Sequence, residues 1–266
     1  MSRFINGINP WEPNYYGVIF DRGEDAVFYY MDGMSIASIT MEELDSKVIW
    51  TCPRGGQLTL PCKWTIFTEK EKVYLMTASD RGVDLDQRTM VRGLSAQARI
   101  HYESTIPSEK HFEGYKIHFA DHTISQRGNW GYTCEKNGRE IWSFAGRAYQ
   151  YTDIFMRNGR IYWGTAGMGG YFYVLDLETG DPVISVKTGG TRNFVQMDDL
   201  CFVAQKDPSK LLCIDLMRGE IVSECALPGR VTANSRIAMI GKEIHVITFE
   251  YRKDKLLHAI WSRCTI

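Results

Sequence analysis

Short apolar runs rich in β-branched and aromatic residues alternate with clusters of Gly, Asn, Asp and Pro along the 266-residue chain, and they return at a nearly fixed interval. They begin near Val27, Val73, Ile117, Ile161, Leu200 and Ile244, giving steps of 46, 44, 44, 39 and 44 residues. Runs of this length and composition, bounded by turn formers, predict short strands. The fourth unit reads as strand Ile161–Thr165, a Gly-rich turn, strand Tyr171–Asp176, a turn through Gly180, and strand Pro182–Val186. One period on, Leu200–Ala204, Leu211–Asp215 and Glu220–Ser223 repeat the order, with Asp176 to Asp215 and Gly180 to Gly219 each 39 residues apart. Asn137-Gly138 and Asn158-Gly159 are tight-turn dipeptides between antiparallel strands.

Periods of about 40–50 residues, each holding several short strands, predict an all-β chain folded as one β-propeller over residues 1–266, with about six four-stranded blades. A seventh is possible if the irregular stretch 80–115 hides a further strand pair. In the first and third units a Trp (Trp50, Trp142) follows the leading run by 23 and 25 residues. Counted from Ile244, that strand falls beyond Ile266, so the last unit lacks its outer strand. Ser2–Ile5 has the right character to supply it and to close the ring, which removes exposed strand edges. Asp176 and Asp215 are expected to cap the turns that end their strands, with the Gly four residues on supplying a positive φ.

These residues resemble the repeat of PQQ-like (pyrroloquinoline-quinone-type) β-propellers, in which a strand, Asp-x-x-Thr-Gly and a strand ending in Trp recur. Leu175-Asp176-Leu177-Glu178-Thr179-Gly180 matches well, and Ile214-Asp215-Leu216-Met217-Arg218-Gly219 matches with Arg in place of Thr. Glu135–Trp142 and Lys47–Trp50 match the later part. The resemblance implies the fold. It does not carry over the quinone, since the adjacent Cys-Cys pair of the quinone enzymes is missing, so no cofactor is expected.

Charge and cysteine content narrow the classes. A formal net charge of −1 supplies no global positive field, which argues against nucleic-acid and membrane-surface binding. No run approaches the roughly 18 apolar residues of a membrane span. Seven cysteines, an odd number without a Cys-x-x-Cys pair, argue for a reduced cytoplasmic protein, with Cys201 and Cys213 as small buried apolar residues.

Candidate chemistry is sparse. His118 and His122 would share a face of one strand, but about 13 Å apart at Cα they are too distant for one ion unless a turn at Asp121 intervenes. Asp80, Asp84 and Asp86 lack calcium-loop spacing and read as a solvated turn. No nucleophile elbow, phosphate loop or zinc motif occurs, so no catalytic or metal residue is assigned. The segments leading into the inner strands are richer: Trp64, Arg147, Tyr149, Tyr151, Arg192, Asn193, Asn234 and Arg236 combine aromatic, amide and Arg groups, the types enriched at recognition surfaces. They are the predicted binding residues. The expectation is a non-enzymatic propeller, monomeric by itself, that presents this loop face to a partner protein in a scaffold or inhibitor/immunity-type role. The alternative is an enzyme acting on a small molecule or glycan in the central channel.

Overall fold

The computed structural model describes residues 2–5, 17–22, 25–32, 35–43, 47–52, 65–78, 80–105, 116–127, 131–146, 155–165, 170–188, 194–232, 235–253 and 255–265. Over these residues the chain forms six four-stranded antiparallel sheets, the blades of a β-propeller. Strand β1 (Ser2–Ile5) precedes blade 1, which is β2 (Gly17–Asp21), β3 (Ala26–Asp32), β4 (Ser35–Thr40) and β5 (Lys47–Thr51). Blade 2 is β6 (Thr65–Glu69), β7 (Lys72–Ala78), β8 (Arg81–Asp84) and β9 (Thr89–Arg92), followed by helix α1 (Ala96–Thr105). Blade 3 is β10 (Lys116–Phe119), β11 (His122–Arg127), β12 (Gly131–Lys136) and β13 (Arg139–Ala145). Blade 4 is β14 (Phe155–Arg157), β15 (Arg160–Gly164), β16 (Tyr171–Asp176) and β17 (Pro182–Lys187). Blade 5 is β18 (Phe194–Met197), β19 (Leu200–Gln205), β20 (Lys210–Asp215) and β21 (Glu220–Ala226). Blade 6 is β22 (Arg236–Ile240), β23 (Glu243–Arg252) and β24 (Lys255–Thr265), with β1 as its fourth strand.

The N-terminal strand therefore lies where the sequence places it: Arg3 is opposite Trp261, Phe4 opposite Ile260 and Ile5 opposite Ala259. Blade 6 also packs on blade 1, where Phe28 and Tyr30 meet Ala259 and Trp261 in one core. The inner strand β22 lies beside both β2 and β18. No seventh strand pair occupies the described part of 80–115. That stretch supplies the outer strands of blade 2 and then α1, capped by the Ser95 hydroxyl accepting from Ala98 N–H at 3.1 Å.

The described core lies between blades rather than within them, and blades 1, 4, 5 and 6 are apolar on both faces. Val27, Tyr29 and Ile36 of blade 1 pack on Leu75, Val83 and Leu85 of blade 2. Tyr132 and Trp142 of blade 3 pack on Trp163, Tyr173 and Leu177 of blade 4. Equivalent cores join blades 4 and 5 and blades 5 and 6.

One turn recurs at these seams. Asp176 Oδ1 accepts from the N–H groups of Glu178 (2.9 Å) and Thr179 (3.0 Å), and Asp215 Oδ1 accepts from Met217 (2.9 Å) and Arg218 (3.0 Å). Both aspartates are thus the turn caps expected from the sequence. A third copy, missed there, is Asp84, which accepts from Asp86 (3.0 Å) and Gln87 (2.9 Å) with Arg88 at a φ of 57° where the others have Gly. Asp84 is no solvated turn residue, being 1% exposed. Its burial opposes ionisation, but the two backbone donors and Lys72 outweigh it and hold its pKa below the ordinary carboxylate value.

The Leu after each Asp is buried in a seam, and the carbonyls of Leu177 and Leu216 are taken by the preceding blade. Trp142 Nε1–H donates to the Leu177 carbonyl at 2.7 Å, and the Tyr162 hydroxyl donates to the Leu216 carbonyl at 2.6 Å. Gly180, with a φ of 75°, lies so close under the Trp142 ring that a Cβ there would stand 2.6 Å from an indole carbon. Gly138 has the same φ of 75° with open space around it. Gly180→Ala should therefore cost at least about 2 kcal/mol, backbone strain plus displacement of the indole. Gly138→Ala should cost only about 1 kcal/mol of backbone strain. Urea unfolding of the two variants checks this, and equal losses would contradict the docking role of Gly180.

Candidate functional site

Antiparallel order divides the propeller into two faces. The turns between first and second strands, and between third and fourth, lie on one (the turn face). The connections from each blade to the next lie on the other (the connection face), together with the loops joining second and third strands. In chain order the predicted binding residues fall in or beside the segments that lead into inner strands. Trp64 directly precedes β6; Arg147, Tyr149 and Tyr151 lie between β13 and β14; Arg192 and Asn193 precede β18; Asn234 and Arg236 lead into β22. Trp64, Arg147, Tyr149, Tyr151, Arg192, Asn193 and Asn234 lie outside the described residues.

Arg236 is described, and its position is built from the segment before it. Leu227 N–H donates to the Ser209 carbonyl at 3.0 Å and Val231 N–H to the Ser209 hydroxyl at 2.9 Å, tying the connection to blade 5. Arg230 and Phe249 exchange backbone hydrogen bonds of 2.7 and 3.0 Å, laying it along blade 6, and the Arg230 guanidinium stands 5.9 Å from the centre of the Tyr251 ring. The buried Ser235 hydroxyl then accepts from Thr232 N–H at 2.9 Å, while Ser235 N–H donates to the Thr232 carbonyl at 3.1 Å. Arg236 follows as the half-buried first residue of β22, its Nη1 donating to the Ser235 carbonyl at 2.7 Å.

Beneath the start of the segment carrying Arg147, Tyr149 and Tyr151 lies an aromatic cluster. Phe144 meets Trp163 and Tyr173 edge-on at centroid distances of 5.4 and 5.1 Å, Tyr132 meets Trp163 at 5.3 Å, and Tyr171 stacks on Tyr173 at 5.5 Å. Buried Gly146, which follows β13, lies against Tyr173 and Phe144. Helix α1 adds a feature that the sequence reading did not assign to this face. His101 Nε2 donates to the Ile66 carbonyl at 2.9 Å and its ring lies 5.4 Å from Phe67, fixing the helix on the inner strand β6. Ile100 then stands 66% exposed. The available signal was Ser95 before a run of helix formers without strand alternation.

The turn face is a lattice of ion pairs between blades. Arg22 meets Asp86 at 2.7 Å, Lys136 meets Glu178 at 2.8 Å, and Arg157 pairs with Asp199. The hydrogen bond from Lys136 holds Glu178 below its ordinary pKa, and the same bond raises Lys136. His118 and His122 do not share a face: a turn at Ala120-Asp121 sets them on two strands of a hairpin, His118 opposite Thr123 and His122 opposite Phe119. Buried His122 holds Asp121 at 2.7 Å through Nδ1, with Glu178 3.3 Å from Nε2. Beside it the Cys134 thiol is pushed up to about 11, by burial first and then by Glu178 and its neighbours, so it is not a nucleophile at neutral pH. His245 accepts from Trp261 Nε1–H at 3.1 Å, and burial lowers its pKa, so it acts as a neutral acceptor inside blade 6. Among the described residues, no three His, Cys, Asp or Glu side chains converge as metal ligands, and no helix is long and apolar enough to cross a membrane.

No protein-family model and no curated protein matches the chain. Among solved structures it is similar to BamB from Moraxella catarrhalis, at 12% identity over 92% of this chain and 83% of that one, with a TM-score of 0.42. A chain of the mitotic checkpoint complex is similar at 11% identity over 97% of this chain and 79% of that one, with a TM-score of 0.38. The dihydro-heme d1 dehydrogenase NirN is similar at 12% identity over 94% of this chain and 58% of that one, with a TM-score of 0.36.

Because the buried Ser235 hydroxyl accepts from the Thr232 amide, Ser235→Ala should destabilise the protein by about 1–2 kcal/mol. The Thr232 amide should also exchange with solvent faster in the variant. Hydrogen exchange and urea unfolding measure both, and an unchanged Thr232 exchange rate would contradict this account of how Arg236 is positioned.

Proposed function

We propose that this chain is a non-enzymatic, protein-binding propeller whose connection face receives a partner protein, in a scaffold or inhibitor/immunity-type role. The observation that carries the reading is Ile100, an apolar side chain held 66% exposed by a helix pinned to blade 2 through His101. Ile100 lies in the connection between blades 2 and 3, and in chain order Trp64, Arg147, Tyr149, Tyr151, Arg192, Asn193, Asn234 and Arg236 likewise fall in or beside segments that lead into inner strands; large apolar and Arg groups are the types enriched in binding hot spots. The turn face offers the opposite character: its charged groups are largely consumed in joining one blade to the next. The repeat is read as PQQ-like in type, serving as a scaffold without the quinone. The reading extends to one domain over residues 1–266, monomeric by itself, in the cytoplasm.

The partner is identified by co-purification from the source cells and mass spectrometry, and its affinity is then measured with purified components. A double Trp64→Ala, Tyr149→Ala variant should fold normally and bind at least about thirtyfold more weakly, the loss of roughly 2 kcal/mol expected from a hot spot. Val183→Ser and Ile221→Ser, at exposed positions on the outer strands β17 and β21, should leave affinity unchanged. Wild-type affinity in the double variant, or loss of binding in the outer-strand variants, would overturn the assignment of the face.

A further inference from the structure

Cysteine chemistry points to a second site, at the seam between blades 5 and 6. Cys225 is exposed on β21, the outer strand of blade 5, and stands opposite Leu211 in the ladder. Cys264 is half-buried on β24 of blade 6 and stands opposite Ile244. Leu211 and Ile244 are both members of the core between blades 5 and 6, and Cys264 packs against that core. Cross-strand partners share a face of their sheet, so both thiols are on the faces that line this seam, and Cys225 is near enough to act on the Cys264 thiol. Cys134, Cys201 and Cys213 lack this arrangement. Cys201 and Cys213 are near in sequence, but they belong to cores on opposite faces of blade 5, and Cys134 is buried between blades 3 and 4.

We propose that Cys225 and Cys264 form an oxidisable dithiol whose disulfide staples blade 5 to blade 6. The co-reactant is a low-molecular-weight disulfide such as oxidised glutathione. The thiolate of the exposed Cys225 attacks one sulfur of it, forming a mixed disulfide and releasing one glutathione thiolate. Cys264 then attacks the Cys225 sulfur, closing the protein disulfide and releasing the second glutathione. Two protein thiols lose two electrons and two protons, and one small disulfide becomes two thiols. Burial, and next the neighbouring Cys225, hold the Cys264 thiol above its ordinary pKa. Cys264 therefore acts second, as the resolving sulfur.

The closed loop from 225 to 264 contains β22, β23 and nearly all of β24, the strand on which β1 pairs. The staple thus restrains the blade that joins the two chain ends, whichever surface receives a partner.

The test incubates the reduced full-length chain with oxidised glutathione and follows it by intact mass, non-reducing peptide mapping and thermal unfolding. The expected product is lighter by about 2 Da, yields one linked peptide containing Cys225 and Cys264, and melts roughly 5–10 °C higher. Dithiothreitol should reverse all three changes. Cys225→Ala, at an exposed position, should abolish the linked peptide and the rise in melting temperature, and Cys264→Ala should do the same while leaving a glutathione adduct on Cys225. A stable adduct on Cys225 in the wild-type chain without closure, a link to another cysteine, or an unchanged melting temperature in the linked protein would overturn the proposal.

Discussion

The fold depends on how the turn between the third and fourth strands of a blade docks on the blade before it. An aspartate caps two amides of the turn, and the leucine after it is driven into the seam between sheets. Its carbonyl is left pointing at the preceding blade, where Trp142 or Tyr162 donates to it. Burying one large side chain contributes about 2–3 kcal/mol and a satisfied buried hydrogen bond about 1 kcal/mol. The two are coupled at this point because the indole or phenol supplying the bond also fills the core. A short four-stranded sheet cannot bury both of its faces alone, so these seams are what make six marginal sheets into one structure.

Concentrating the joints on the turn face has a consequence for function. Arg22, Lys136, Arg157 and Arg160 there are drawn into bonds between blades, and Arg160 Nη1 donates to the Met217 carbonyl at 3.0 Å. The connection face carries helix α1 between blades 2 and 3. On the proposed function, scaffolding and recognition fall on opposite sides of the same sheets.

Much of this was legible in the sequence wherever geometry repeats. The Asp-Leu-x-x-Gly turns at Asp176 and Asp215 stand out because Gly180 and Gly219 meet a positive φ and a close neighbour together. The Asp84 copy is hidden because Arg88 takes the positive φ without glycine. The N-terminal strand could be placed by counting a missing strand in the last repeat. The inner strands β14 and β18, of three and four residues, are too short for their alternation to show. Helix α1 interrupts the period once, so no repeat announces it. The proposed binding residues could be picked out as a set of strand lead-ins, but which side chains converge depends on contacts between blades that no local pattern encodes.

The docking claim is tested most directly by a double-mutant cycle between Asp176→Ala and Trp142→Phe, measured by urea unfolding. Asp176 holds the turn whose Leu177 carbonyl Trp142 Nε1–H reaches at 2.7 Å, although the two side chains make their bonds to different residues. If the capped turn is what presents that carbonyl, the two losses overlap, and the cycle should show a coupling of at least about 0.5 kcal/mol. Strictly additive losses would mean that turn and indole stabilise the protein independently, and the account of blade docking would fail.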